Sequence, residues 1–408
     1  MNILLVNHYV GSPLYGMEYR PFYLAKEWVK QGHKVTIIGA SFSHLRQQNP
    51  IVTEDLQIEM VDGIKYRWIK TPIYNSSIKR IINIVVFVHK LLKYAKKLAK
   101  EECPDLVIAS STYPVDIYPS HKIAKRCSAK LTYEVHDLWP LSPMLIGGYS
   151  KWHPFIMVMQ KGEDYAYKYS DKVISLLWNA EDHMKSRGLA KGKFKCIPNG
   201  YLPEEWSDEA RNLPLSKEHE EAFIQLKDKI IVGFAGGFAA SGALDTLIDA
   251  AALLKYNNRI HFVLVGEGPE KKRLRSRLEK EQLHNITILP AVPKKLIPAV
   301  NKEFDIAYMG GTHSPLHKYG TSYNKMTDSM LSCKPIIQAI DEPNCVAERL
   351  GCGIQVEAEN AAKVVEAIIK LANMSAEERY NMGLKGRIYA ENNLPWSKLA
   401  IDFIDVFK

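Results

Sequence analysis

The sequence predicts an α/β protein built from two doubly wound, Rossmann-like domains, and three observations carry that expectation. At 408 residues the chain is too long for one hydrophobic core, since domains mostly run to about 100–200 residues. Short apolar runs alternate with helix-period segments throughout, the pattern of βαβ units that build parallel sheets. The series also starts twice, on either side of Tyr201–Glu221, a polar and acidic stretch containing Pro203 and Pro214.

In the first series the expected strands are Ile3–Asn7, Val35–Ala40, Lys65–Ile69, Leu106–Ser110, Leu131–Val135 and Val173–Leu177, with amphipathic helices such as Arg20–Gln31 and Ala180–Arg187 between them. The second series is Ile230–Ala235, Ile260–Val265, Ile286–Leu289, Asp305–Met309, Pro335–Ala339 and Gly353–Val356. The resulting domain boundaries are 1–205 and 222–394, joined by a linker at 206–221. The tail 395–408 reads as an amphipathic helix that could pack back on the first domain, with Leu399, Phe403, Ile404 and Phe407 on one side. Ligands of open parallel sheets bind beyond the carboxyl ends of the strands, so the expected site is a cleft between the two sheets.

Composition narrows the function. Lys plus Arg number 54 against 45 Asp plus Glu, a surplus of +9 that implies a polyanionic partner. Residues 1–215 hold 29 of the basic and 21 of the acidic residues, so nearly all the surplus lies there. The surplus lacks the interleaved aromatics of a nucleic-acid module, so no nucleic-acid partner is expected. Six cysteines show neither C-x-x-C pairs nor His partners at zinc spacing, which points to reduced thiols in a cytoplasmic setting and to no metal. No apolar run reaches the ~18 residues of a membrane span.

Three loops of the C-terminal half could hold an anion. After the strand ending at Ala235 come Gly236 and Gly237, where small residues let backbone amides approach phosphate oxygens. Gly266 and Gly268 bracket the next strand-to-helix turn, which is equally explained as a plain βα connection. Thr321, Ser322 and Asn324 lead into a helix with Lys325 in its first turn and Asp328 one turn on, where a carboxylate could accept two ribose hydroxyls. An exposed i,i+3 pair is the competing explanation of Lys325 and Asp328. In the N-terminal half, Gly16 closes a loop before the helix bearing Arg20, and His136 and Asp137 stand at a strand end, where a His can hold or exchange a proton near neutral pH.

Taken in order, the glycine loop with Arg20, then Gln31-Gly32-His33-Lys34, His136-Asp137, Ile197-Pro198-Asn199-Gly200, Gly266-Glu267-Gly268-Pro269, Asn324-Lys325 with Asp328, and Lys334-Pro335 resemble glycosyltransferase family 4 across almost the whole chain. The strings Asp137-Leu138-Trp139-Pro140, Leu244-Asp245-Thr246-Leu247 and Ser322-Tyr323-Asn324-Lys325 are similar to the fucosamine and N-acetylhexosamine transferases of bacterial surface polysaccharide synthesis.

The resemblance implies the two-domain GT-B fold and retaining transfer from a nucleotide-diphosphate sugar, UDP-linked, to a saccharide acceptor, with no cofactor and no metal. It assigns Gly236 and Gly237 to the diphosphate, Gly266 and Gly268 to the nucleotide, Asp328 to the ribose and His136 to the donor sugar. The sequence departs from the family where Gly320 replaces the first residue of its paired-Glu motif and where Phe238–Ser241 replace its usual basic pair. Charge compensation is therefore expected from Lys325, the Thr321 and Ser322 amides and Arg20. A nucleotide-sugar 2-epimerase of the same fold, or a non-catalytic sugar-nucleotide-binding partner, remains open.

Lys79–Lys100 carries seven Lys or Arg and no acid, with apolar residues at helical spacing. Such a helix suits an anionic membrane surface, and equally a core-packed helix with a solvated basic face. The first alternative makes the protein peripheral at the inner face of the cell membrane, acting on a lipid-linked acceptor.

Overall fold

The computed structural model describes residues 1–17 and 19–407, in two compact units. The first comprises residues 1–199 and the C-terminal segment from Trp396; the second is Gly200–Pro395.

The first unit is an eight-stranded sheet of β1 (Asn2–Val6), β2 (Lys34–Ala40), β3 (Gln57–Val61), β4 (Ile64–Ile69), β5 (Leu106–Ala109), β6 (Lys130–Val135), β7 (Lys172–Ser175) and β8 (Phe194–Cys196), in the order β3-β4-β2-β1-β5-β6-β7-β8. All neighbours are parallel except β3 and β4. Two strands, β3 and β8, go beyond the sequence expectation. The edge strand β3 leaves Ile58 and Met60 exposed, so it lacks a buried face to read. Its signal is the turn Asp62-Gly63, with φ of 49° and 79°, the left-handed pair that closes a two-residue hairpin.

The second unit is a six-stranded parallel sheet of β9 (Ile230–Ala235), β10 (Ile260–Val265), β11 (Ile286–Leu289), β12 (Ile306–Gly310), β13 (Ile336–Ala339) and β14 (Gly353–Val356), in the order β11-β10-β9-β12-β13-β14. Its strands are near-continuous apolar runs because helices cover both faces; Phe234, Phe262, Leu264 and Ile306 are fully buried in the main core with Leu247, Ile248 and Ile368. In each unit the strand order reverses at one point, between β1 and β5 and between β9 and β12. Crevices at the carboxyl ends of such strands are where open sheets bind ligands.

Two boundaries differ from the sequence expectation. Residues 206–221 do not form a linker: Trp206 is buried in a core cluster with Met330 and Leu331, and the helix Lys217–Gln225 packs Phe223 against Ile231 and Val263. Burying an aromatic side chain stabilises by roughly 1.5–3 kcal/mol, and Trp206 within the segment together with Phe223 two residues beyond it outweighs the segment's polar composition. The break falls instead at Asn199 and Gly200. The chain then returns to the first unit through the helix Trp396–Asp405, where Trp28 Nε1 donates to the Ala400 carbonyl at 2.9 Å and Leu399, Phe403 and Ile404 are buried. Lys408, the last residue of the expected helix, lies outside the described residues.

The basic segment forms one helix, Ser77–Glu102, capped by Ser76, whose side chain accepts from the Lys79 amide, and ended by Cys103 in the left-handed conformation. Ile84, Phe87, Leu91, Ala95 and Leu98 recur every three or four residues and fill its core face. The apolar stripe is thus largely used inside the protein. All six cysteines are free thiols, and among the described residues no helix is long and apolar enough to cross a membrane.

Candidate active site

In the second unit, the carboxyl ends of β9, β10 and β12 gather the residues expected to meet a nucleotide sugar. The first two loops are laced together by backbone bonds: Gly236 N to Val265 O at 2.9 Å, Phe238 N to Glu267 O at 2.8 Å and Glu270 N to Phe238 O at 3.1 Å. The lacing explains the glycines before any ligand is considered. A Cβ on Gly266 would stand 1.9 Å from the Gly236 carbonyl oxygen, and one on Gly268 would stand 2.4 Å from that of Phe238. Gly237 is different, being exposed with nothing within 4 Å of its Cβ position.

Lys325 closes this arrangement. It lies in the first turn of the helix Asn324–Leu331, and its side chain crosses Gly236: a Cβ there would meet Lys325 Cε at 2.5 Å. Its ammonium sits 4.4 Å from the Phe234 ring centroid, in cation–π range. Among the described residues it has no carboxylate within ion-pair distance, so the competing explanation, an exposed i,i+3 pair with Asp328, does not hold. Burial lowers the pKa of this amine, and Asp328 opposes the shift only in part. The result is a desolvated cation beside a glycine loop, available to an incoming anion.

Asp328, one turn along, is pushed up to about 7 by burial; Lys294 lowers it, Glu205 raises it, and Lys325 lowers it less. Asn324 opens the helix, exposed. The neighbouring Thr321 is already engaged: its amide donates to Glu342 Oε1 at 2.7 Å and its hydroxyl to Oε2 at 2.8 Å. Its amide therefore does not serve as the free phosphate donor the sequence suggested, because a buried carboxylate, also held by Gln338 Nε2 at 2.6 Å, occupies it. Ser322 follows in the same loop.

In the first unit the carboxyl ends of β1, β5 and β6 carry a buried polar network. Arg20 and Glu134 form its centre at 2.9 Å, with both side chains almost wholly buried. Arg20 also donates to the carbonyls of Ile197 at 2.9 Å and Pro198 at 2.7 Å. Its charge and donors are thus spent inside its own unit, so Arg20 is not the diphosphate counter-charge the sequence suggested. Burial alone would raise the Glu134 carboxyl, but the Arg20 guanidinium, followed by His136 and Ser110, holds it down to about 2.

His136 Nε2 lies 3.2 Å from Glu134 Oε2 and 2.9 Å from Ser110 Oγ. The carboxylate that orients His136 is therefore Glu134 and not Asp137. Residues two apart on a strand share a face, whereas adjacent ones do not. Asp137 Oδ1 instead accepts from the Leu138 amide at 2.9 Å and the Ser142 hydroxyl at 2.6 Å, bracing the turn into the helix Leu141–Leu145. Gly16 has φ of 86° and donates its amide to the Ser12 carbonyl at 2.8 Å, closing the first loop.

Sequence reasoning missed Glu134, Ser110, Glu342 and Asp116. Asp116 is fully buried, bonded through Oδ2 to the Ser111 amide at 3.0 Å, and raised to about 7 by burial. Only the spacing of Glu134 and His136 was readable in advance. Among the described residues no three His, Cys, Asp or Glu side chains stand close enough to hold a metal ion.

Residues 15–205 match the model of Glycosyltransferase Family 4, and residues 216–388 match that of Glycosyl transferases group 1. No curated protein sequence matches the chain. Among solved structures, Anabaena Alr3699/HepE in complex with UDP is 14% identical with a TM-score of 0.69, over 100% of this chain and 99% of that one. Sucrose-phosphate synthase from Thermosynechococcus elongatus is 16% identical with a TM-score of 0.71, over 100% and 98%. WaaG, a glycosyltransferase involved in lipopolysaccharide biosynthesis, is 12% identical with a TM-score of 0.65, over 99% of each chain. At these identities the structures establish the fold, and the two family matches establish the activity class: the chain is a glycosyltransferase of the GT-B fold, with a family 4 first half and a group 1 second half.

Proposed function

We propose that this glycosyltransferase moves a sugar, with retention, from a UDP-linked donor to a saccharide acceptor. The observation that carries the reading is Lys325, a half-buried ammonium laid across Gly236 with no carboxylate partner among the described residues. Relatives of the same fold crystallise with UDP, which supports the choice of nucleotide. The donor's anomeric C–O bond breaks, its electron pair leaves with the diphosphate, and Lys325 with the amide of Gly237 takes up the developing charge. A departing phosphate oxygen accepts the acceptor's hydroxyl proton while the new glycosidic bond forms on the same face. Asp328 receives the ribose hydroxyls, and His136, oriented by Glu134 and Ser110, binds a sugar hydroxyl.

The donor sugar is an N-acetylated hexosamine or deoxyhexosamine and the acceptor is lipid-linked, in surface polysaccharide synthesis at the inner face of the membrane; the sequence resemblance supports these choices. Ile78, Ile82 and Val85 remain exposed on the basic helix beside Lys79, which supports contact with an anionic bilayer. The deciding measurement is donor turnover across UDP-, GDP-, ADP- and CDP-sugars for the intact enzyme and Lys325→Ala. Unchanged turnover and donor affinity in the variant overturns the role of Lys325. For the membrane, sedimentation with vesicles that shows no dependence on anionic lipid removes that part of the proposal.

A further inference from the structure

We propose a second anion site in the C-terminal unit, at the end of its sheet opposite the Gly236 and Lys325 loops, that takes a phosphorylated small molecule of sugar-phosphate size. A cavity of about 470 Å³ opens where Asp305 and Pro335 lead into β12 and β13. Five cations line it: Arg211, Lys302, Lys334, Arg379 and Arg387. Such convergence is unexpected in this unit, which has 24 Lys and Arg against 26 Asp and Glu.

Three of these cations have a carboxylate partner, Arg387 through Nε with Glu391 at 2.6 Å, and two have none. Asp208 is almost fully exposed and stands 3.6 Å from Arg211. One oxygen of Asp305 accepts from the Ile231 amide at 2.9 Å, leaving the other for Arg379 at 3.4 Å. Lys302 and Lys334 donate only to neutral oxygens, the Asn212 side chain and the Lys302 carbonyl, both at 2.8 Å. Neither has a carboxylate within ion-pair distance among the described residues. Arg211 Nε is buried and has no acceptor. Two ammonium groups without a carboxylate, in a concavity lined by three further guanidinium groups, are what a phosphate dianion satisfies. The volume exceeds that of phosphate alone and lies in the range of small-molecule pockets.

The helix Asn324–Leu331 joins the two ends of the unit. Its first turn carries Lys325; at its other end Arg211 Nη2 donates to the Leu331 carbonyl at 3.3 Å, and Ser332 and Cys333 line the cavity. An eight-residue helix is about 12 Å long, so the second site is separate from the nucleotide loops.

The test is calorimetric titration of the full chain with glucose 1-phosphate, and with glucose as the uncharged control, in saturating UDP. Glucose 1-phosphate is expected to bind and glucose not to. Lys302→Ala with Lys334→Ala should weaken the phosphate ester by about ten-fold or more while UDP binding stays unchanged. Lys302→Glu alone, at an exposed position, keeps the test open if the double variant does not fold. Absence of binding at about 10 mM, equal binding of glucose, displacement by UDP, or unchanged affinity in the variants would each overturn the site.

Discussion

Arg20 and Lys325 each stand in the first turn of a helix that follows a strand beside the point where its sheet's order reverses, β1 and β12, yet they are used in opposite ways. Arg20 is buried with Glu134 and two backbone carbonyls, so its charge is consumed in holding the first unit's network together. Lys325 leaves its charge unmatched against an aromatic ring and a glycine. A cation at a strand-to-helix turn is therefore not evidence of ligand binding; whether protein groups already satisfy it decides. The units differ in the same sense overall. The first holds 30 Lys and Arg against 19 Asp and Glu, and the second 24 against 26, so the positive charge at the Lys325 loop is local and not collective.

The contrast can be broken in four places. The largest effect is expected from Arg20→Ala, which strands a buried carboxylate and should cost about 3–5 kcal/mol of stability, read from denaturant unfolding. The sign with pH follows from Glu134. Its carboxyl is depressed in the folded state, so the stability it confers is present above the unfolded value near 4.5 and lost as pH falls through about 2. The gap between wild type and Arg20→Ala should shrink over that window, and a pH-independent gap would argue against the ion pair.

Lys325→Ala comes next. Turnover should fall by about 10²–10³, some 2.7–4 kcal/mol in the barrier, while the melting temperature stays the same or rises because a desolvated charge is gone. A variant that loses stability in step with turnover would make Lys325 a second Arg20.

Asp328→Asn is a smaller, pH-dependent effect. The native carboxyl is raised to about 7 from an unfolded value near 3.8, so the folded form holds its proton more tightly and wild-type stability declines as pH rises from about 4 to 7. Relative to wild type the Asn variant should gain about 1–2 kcal/mol across that range, after allowance for solvent screening. A difference that does not vary with pH would show that the carboxylate is already satisfied. Smallest of all, Gly237→Ala has open space around its Cβ and should change stability by under about 0.5 kcal/mol. Any loss of donor affinity it causes would then report contact with the ligand, a separation that Gly266 cannot offer because its Cβ would strike the Gly236 carbonyl.

Much of the fold was legible in the sequence because parallel strands buried on both faces are apolar runs with helices between them. The edge strand β3 and the short β8 were not, since neither presents a continuous buried run. The acidic stretch before β9 misled for a related reason: two buried aromatics, Trp206 and Phe223, settled its place against the testimony of its charges. In the site, the glycine loops and Lys325 were named from the sequence, whereas Glu134, the carboxylate that meets His136, was not singled out. Strand alternation favours Glu134.

By itself the sequence determined the two-sheet architecture, the loops that cluster at the strand ends and the residue types available there. Apolar periodicity and turn chemistry are local, and local patterns survive in one dimension. The tertiary structure decided how those residues are employed: Arg20 neutralised by a carboxylate 114 positions away, the Thr321 amide occupied by Glu342, and Lys325 left without a partner. Charge compensation depends on which groups meet in a low-dielectric interior, and those meetings join segments far apart along the chain.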